Sequence, residues 1–149
     1  MTGHPPADKA VRDEAATDLK HSIFLEAGAG TGKTDSLVRR YLHILETPPA
    51  EGGADVENIV AITFTNKAAR EMKDRVRREC TRRAAQAPPA EGLTWRRRGR
   101  ELEGAPIGTI HSFCAGILRR FPVEARVDPQ FGVLDDITGR NLLSDAVRE

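Results

Sequence analysis

The sequence predicts an α/β fold in which helices flank a parallel sheet. Three observations predict it. A short apolar run, Ile23 to Leu25, precedes a glycine-rich stretch, Ala27 to Thr34, which runs into an amphipathic pattern beginning at Leu37. A second apolar run, Ile59 to Phe64, is close to continuous, as in a parallel strand buried on both faces, and it too is followed by helical periodicity. Strand, loop, helix, strand, helix is the order of parallel strands joined by right-handed crossovers, with ligand held outside the carboxyl ends of the strands.

Taken in order, residues 1–7 read as a loose, proline-containing tail, and a weak alanine-rich helix is expected from Asp8 to about Lys20, with Val11, Ala15 and Leu19 four residues apart. Residues 1–22 thus precede a domain covering 23–149, whose first strand is Ile23 to Glu26. Beyond the glycine-rich loop, Leu37, Val38, Tyr41, Leu42, Ile44 and Leu45 share one helical face, and Pro48-Pro49 stop that helix. A polar loop leads to the strand at 59–64. Thr65-Asn66 then caps a helix in which Ala69, Met72, Val76 and Cys80 recur at steps of three and four, so Met72 and Cys80 read as core. Residues 84–105, with Pro88-Pro89 and the run Arg96-Arg97-Arg98, read as an exposed connection with one short helical piece around Trp95. Ile110, Phe113, Cys114, Ile117, Leu118 and Phe121 form the next helical stripe, stopped by Pro122, with Cys114 on its buried side. A last helix starts near Thr138, and its pattern of Leu142, Leu143, Ala146 and Val147 is still running at Glu149. The chain therefore reads as truncated and its sheet as incomplete.

The chemistry concentrates in Ala27-Gly28-Ala29-Gly30-Thr31-Gly32-Lys33-Thr34. Small residues let a backbone wrap around phosphate oxygens, so that successive N–H groups and the positive end of the new helix face the anion. In such a loop Lys33 reaches the β and γ phosphates of a nucleotide, and the Thr34 hydroxyl meets a Mg2+ ion bridging them. Ala27 stands where the strict pattern has its first glycine, which a methyl tolerates at ordinary negative φ. The candidate nucleotide site is thus Ala27 through Thr34, with Thr34 the metal contact and Lys33 and Thr34 the catalytic pair.

Hydrophobic residues at 39% and charged ones at 30% place the chain among globular proteins, and no apolar run has the length that spans a bilayer. Met1 to Pro6 lacks the apolar core of a secretory signal. Cys80 and Cys114 form neither a disulfide framework nor a metal spacing, so a reducing, cytoplasmic setting is expected. The net charge of +1 hides an asymmetry: Lys67 to Arg120 carries 14 Lys or Arg against 6 Asp or Glu, and the rest 9 against 16. A basic middle suits a polyanion partner on the face bearing Arg70, Lys73, Arg77 and Arg78. It equally suits a solvated helix laced with pairs such as Arg70 with Asp74 and Glu71 with Arg75.

Three stretches then stand together: Glu26 to Thr34, Ala61-Ile-Thr-Phe-Thr-Asn-Lys-Ala-Ala-Arg-Glu-Met72, and Ile107-Gly-Thr-Ile-His-Ser-Phe-Cys114. In this order they resemble the N-terminal ATPase domain of superfamily 1 DNA helicases of the UvrD/RecB/AddA class, the third leaning toward the RecB/AddA branch. The resemblance implies a P-loop NTPase (RecA-like) fold, ATP and Mg2+ as cofactors, 3′ to 5′ movement on single-stranded DNA, and a role in repair or recombination with possible helicase–nuclease partner subunits. It implies that Thr63, Phe64, Thr65 and Asn66, with Thr109, His111 and Ser112, contact single-stranded DNA. An aromatic ring at a strand-to-helix turn is a sequence-tolerant platform for a base. A core role for Phe64 and a structural role for His111 remain open from the residues alone.

The sequence departs from the family pattern in two ways. No Gln lies upstream of the phosphate loop to read adenine, and Arg12 is the nearest substitute for a base or ribose contact. Val133-Leu134-Asp135-Asp136 superficially resembles the acidic motif a phosphoryl-transfer motor needs, but Pro129 and Gly132 leave too short a run for a central strand. A truncated module that binds nucleotide or DNA without turnover is an alternative reading. A small P-loop kinase is another, and it leaves the second and third stretches unexplained.

Overall fold

The computed structural model describes residues 9–26, 32–134 and 136–147. The chain divides into two compact units, residues 1–109 and 110–149.

In the first unit, helix α1 (Lys9–Thr17) packs on α2 (Lys33–Glu46). The join is made by side chains of α2 reaching the end of α1. Arg40 Nη1 donates to the carbonyls of Ala15 at 2.9 Å and Asp18 at 2.7 Å, satisfying acceptors a helix terminus leaves open, and Arg39 pairs with Asp13 at 2.6 Å. Two single-turn 3-10 helices, Pro49–Glu51 and Val56–Asn58, then lead to β1 (Ala61–Thr63). Helix α3 (Asn66–Gln86) starts at Thr65, whose hydroxyl accepts from the Ala68 N–H at 3.1 Å, the expected cap. After α4 (Pro89–Glu101) comes β2 (Ile107–Thr109), which pairs with β1 in parallel: Ala61 with Ile107, Ile62 with Gly108, Thr63 with Thr109. The predicted parallel arrangement holds for this pair.

The core joins α2 (Val38, Tyr41, Leu42, Leu45) to α3 (Ala69, Met72, Val76, Cys80) with Ile107 of β2. Met72 and Cys80 are core residues, as their spacing predicts.

Three expectations are corrected. Residues 23–26 form no strand: they have no ladder partner among the described residues, and Phe24 is 90% exposed. A strand needs a paired neighbour to satisfy its backbone. The run at 59–64 is buried on one face only, since Ile59 and Ala61 are buried while Val60 and Ile62 are 46% and 48% exposed. The ladder itself spans three residues of the six. Residues 84–105 are no exposed connection. They hold the 13-residue α4, which lies against α3, with Trp95, Leu102 and Ala105 buried. Pro89 sits at the first helical position, where its missing N–H costs nothing, and Gly92 permits contact so close that a Cβ there would stand 2.8 Å from the Ala84 carbonyl oxygen. Arg83 and Arg98 hold their guanidinium groups 4.8 and 4.9 Å from the Trp95 ring centroid.

The second unit contains α5 (Ile110–Arg120), the single turn α6 (Pro122–Ala125) and α7 (Asp136–Ala146). The stop before Pro122 and the last helix are as expected. The burial of the α5 stripe is not: Cys114 is exposed, and Ile110, Ile117 and Phe121 are 48%, 44% and 47% exposed, while Ala115 is buried. A unit this small closes little core of its own, and Ile137, Leu142 and Leu143 of α7 are exposed as well. Val133 and Leu134 are exposed and irregular, so this segment forms no strand, and Asp135 lies outside the described residues. Among the described residues no helix is long and apolar enough to cross a membrane.

Candidate functional site

Of the glycine-rich loop, Ala27, Gly28, Ala29, Gly30 and Thr31 lie outside the described residues. Its exit is described. Gly32 is the N-cap of α2 with φ +83° and ψ 18°, the left-handed conformation that a side chain strains, and its carbonyl accepts from the N–H groups of Asp35 at 2.9 Å and Ser36 at 3.1 Å. Lys33 and Thr34 follow at the first turn of this 14-residue helix, both exposed, while Ser36 is buried. With α1 clamped onto α2 by Arg40, a Cβ on Gly32 would stand 2.7 Å from Nη1 of Arg12. Two cationic side chains, Lys33 and Arg12, therefore flank the loop exit at a helix N-terminus, a geometry that favours an anion. Beside it lies a cleft of about 290 Å³ lined by Ala15, Ile23, Leu25, Lys33, Leu37 and Arg40. The sequence suggested Arg12 for a base or ribose contact; the structure sets its guanidinium beside Gly32, at the start of α2.

The second group of candidate residues gathers at the carboxyl end of β1. Thr63 Oγ donates to the Thr65 carbonyl at 3.0 Å and lies 3.4 Å from the Gly108 carbonyl, tying the turn to β2. Phe64 at the apex is 100% exposed, so its ring is no part of the core of this unit. Thr65 caps α3 and Asn66 opens it. Thr109 is opposite Thr63 in register, so these five residues share one end of the sheet. His111 and Ser112 are exposed in the first turn of α5 and belong to the second unit.

The expected basic face of α3 is split. Lys73 donates to the Glu103 carbonyl at 3.3 Å, and Arg77 pairs with Glu103 at 2.6 Å and Asp74 at 3.4 Å, so both hold the segment after α4 in place. Asp74 is thus taken by Arg77 and not by Arg70, and Glu71 forms no ion pair with Arg75 among the described residues. Neither i,i+4 pair forms: Asp74 goes to Arg77 by i,i+3 geometry, and Glu71 and Arg75 stay on the exposed helix surface without pairing with each other. No group of three or more His, Cys, Asp or Glu side chains that could hold a metal ion occurs among the described residues.

The sequence profile of the UvrD/REP helicase N-terminal domain matches residues 9–149. The chain belongs to this family. The three motifs that pointed to it lie within the matched span. Among curated relatives, this UvrD/REP domain is 38% identical over 139 residues to an ATP-dependent helicase/nuclease subunit of Lactobacillus gasseri, covering 93% of this chain and 11% of that protein. It is 36% identical over 148 residues to the protein of the same description in Heliobacterium modesticaldum, covering 97% and 10%. With that of Desulforudis audaxviator it shares 38% over 137 residues, covering 91% and 11%. The chain spans about a tenth of the length of these relatives.

Proposed function

We propose that this UvrD/REP domain is the nucleotide- and DNA-engaging part of an ATP-dependent DNA helicase that moves 3′ to 5′ on single-stranded DNA in repair or recombination, built on a RecA-like P-loop core. The described residues fit the phosphates of ATP: Gly32 turns the chain into α2 in a conformation open to glycine, and Lys33 and Arg12 flank the turn. Lys33 binds the β and γ phosphates, the loop from Ala27 to Gly32 wraps them, and the Thr34 hydroxyl is the protein ligand of Mg2+. The metal, when bound, neutralises charge on the transferring phosphoryl group. The helicase/nuclease description of the relatives supports a parent that works with partner subunits on DNA.

The observation that carries the reading is Phe64. A fully exposed phenyl ring at the apex of a strand-to-helix turn adds nothing to the core and is suited to stacking on a base, with Thr63, Thr65, Asn66 and Thr109 around it for the backbone. His111 and Ser112, exposed in the first turn of α5 in the second unit, are proposed as DNA contacts in their own right. The reading as a small P-loop kinase leaves this arrangement unexplained.

The nucleotide half is tested by titrating a fluorescent ATP analogue with Mg2+ onto the chain and onto Lys33→Ala. Loss of one charge-assisted contact predicts an affinity about ten- to a hundredfold weaker. Equal affinity in the two proteins overturns the assignment of Lys33.

A further inference from the structure

Between α2 and α3 runs a groove of about 600 Å³ that the site described above does not use. Arg39, Arg75, Arg78, Arg82 and Arg83 line it, against Asp35 and Glu79. The two acids do not balance the five cations. Glu79 is taken by Arg82 and by Arg83, the latter at 3.1 Å, and these bonds, Arg82 foremost, hold its carboxyl down to about 2, so its charge is committed within the wall. Arg39 is held by Asp13, and Arg83 by Glu46 as well. Arg75 and Arg78 are exposed and make no ion pair or hydrogen bond among the described residues.

Arg75, Arg78 and Arg82 are spaced i, i+3, i+7 and so stand on one face of α3. At 1.5 Å rise per residue they span about 10 Å, the axial length of about three phosphates on one strand of a duplex. Guanidinium groups suit phosphate because their planar forks bind two oxygens at once. The floor is Val38 and Leu42, and no aromatic side chain lines the groove, so it offers no stacking platform of the kind single strands use. Its contacts are those of backbone recognition without base readout.

From this we infer that the α2–α3 groove binds the phosphate backbone of double-stranded DNA through Arg75 and Arg78, a second nucleic-acid surface apart from the Phe64 turn. The inference rests on the reading of the chain as a DNA-engaging domain. It adds a duplex surface on the same helix whose N-terminus carries the single-strand turn.

The test is fluorescence anisotropy of a labelled duplex and a labelled single strand with the full chain, Arg75→Gln/Arg78→Gln, Arg75→Lys/Arg78→Lys, and Arg96→Gln/Arg100→Gln as a control of equal charge change. The glutamine pair is expected to weaken duplex binding about ten- to a hundredfold at about 0.05 M salt, and to lower the slope of log affinity against log salt by about two. The lysine pair restores most of both. Duplex affinity and slope that stay unchanged in Arg75→Gln/Arg78→Gln, or that fall equally in the control, overturn the proposal. Phe64→Ala separates the two readings: if it leaves single-strand binding intact while the groove variant loses the duplex, the Phe64 turn is wrong and the groove stands.

Discussion

Gly32 holds φ +83° at the N-cap of α2, and the placement of α1 puts a guanidinium beside it. The glycine was legible from the loop pattern. Arg12 as its neighbour was not, because that proximity depends on Arg40 reaching across to the end of α1, a tertiary contact that local spacing does not encode. The cysteines behave alike. Steps of three and four put both Cys80 and Cys114 on apolar faces, yet periodicity says only which side chains share a face, not whether anything covers it. Cys80 lies in the core, where burial pushes its thiol up to about 11, whereas Cys114 is exposed. Thiolate is the reactive form, so a thiol-modifying reagent at neutral pH should label Cys114 rapidly and Cys80 only after unfolding. Mass mapping of the labelled peptides checks this, and rapid native-state labelling of Cys80 contradicts the core described above.

At the scale of elements, α3 was the most legible: its cap, its core positions and its basic character were all in the sequence. Its surroundings were not. Pro88-Pro89 and three consecutive arginines look like loop chemistry, but Pro89 starts α4, and Gly92 gives α3 and α4 room to meet. Trp95 is the anchor of that contact, 7% exposed with a guanidinium near its ring on each of two helices. Trp95→Ala should cost about 3–5 kcal/mol in denaturant unfolding, the range for deleting a large buried aromatic side chain. A loss below about 1 kcal/mol would mean that α4 is an accessory and not part of the core. The presence of α4 also explains the divided basic face, since Lys73 and Arg77 are spent on Glu103 while Arg75 and Arg78 face the α2 groove.

For the whole molecule, the sequence carried the family and the parallel strand pairing more securely than it carried burial. Three motifs sufficed for the family, because each combines unusual residue types at fixed offsets. Burial failed where it depends on neighbours. The run from Ile59 to Phe64 looks like a strand covered on both faces, but within the first unit its cover is one-sided, and Ile23 to Glu26 finds no strand beside it among the described residues. The candidate nucleotide and DNA residues from Gly32 to Thr109 nevertheless sit on one compact unit. Centrally, this unit is proposed to grip single-stranded DNA through the exposed ring at the carboxyl end of its sheet. Anisotropy of a labelled single strand with the full chain and with Phe64→Ala tests it most directly. A loss of about 1–3 kcal/mol in binding is predicted, the worth of one stacked base, with an unchanged thermal midpoint because a fully exposed ring contributes no burial. Equal affinity for the two proteins, at equal stability, would contradict it.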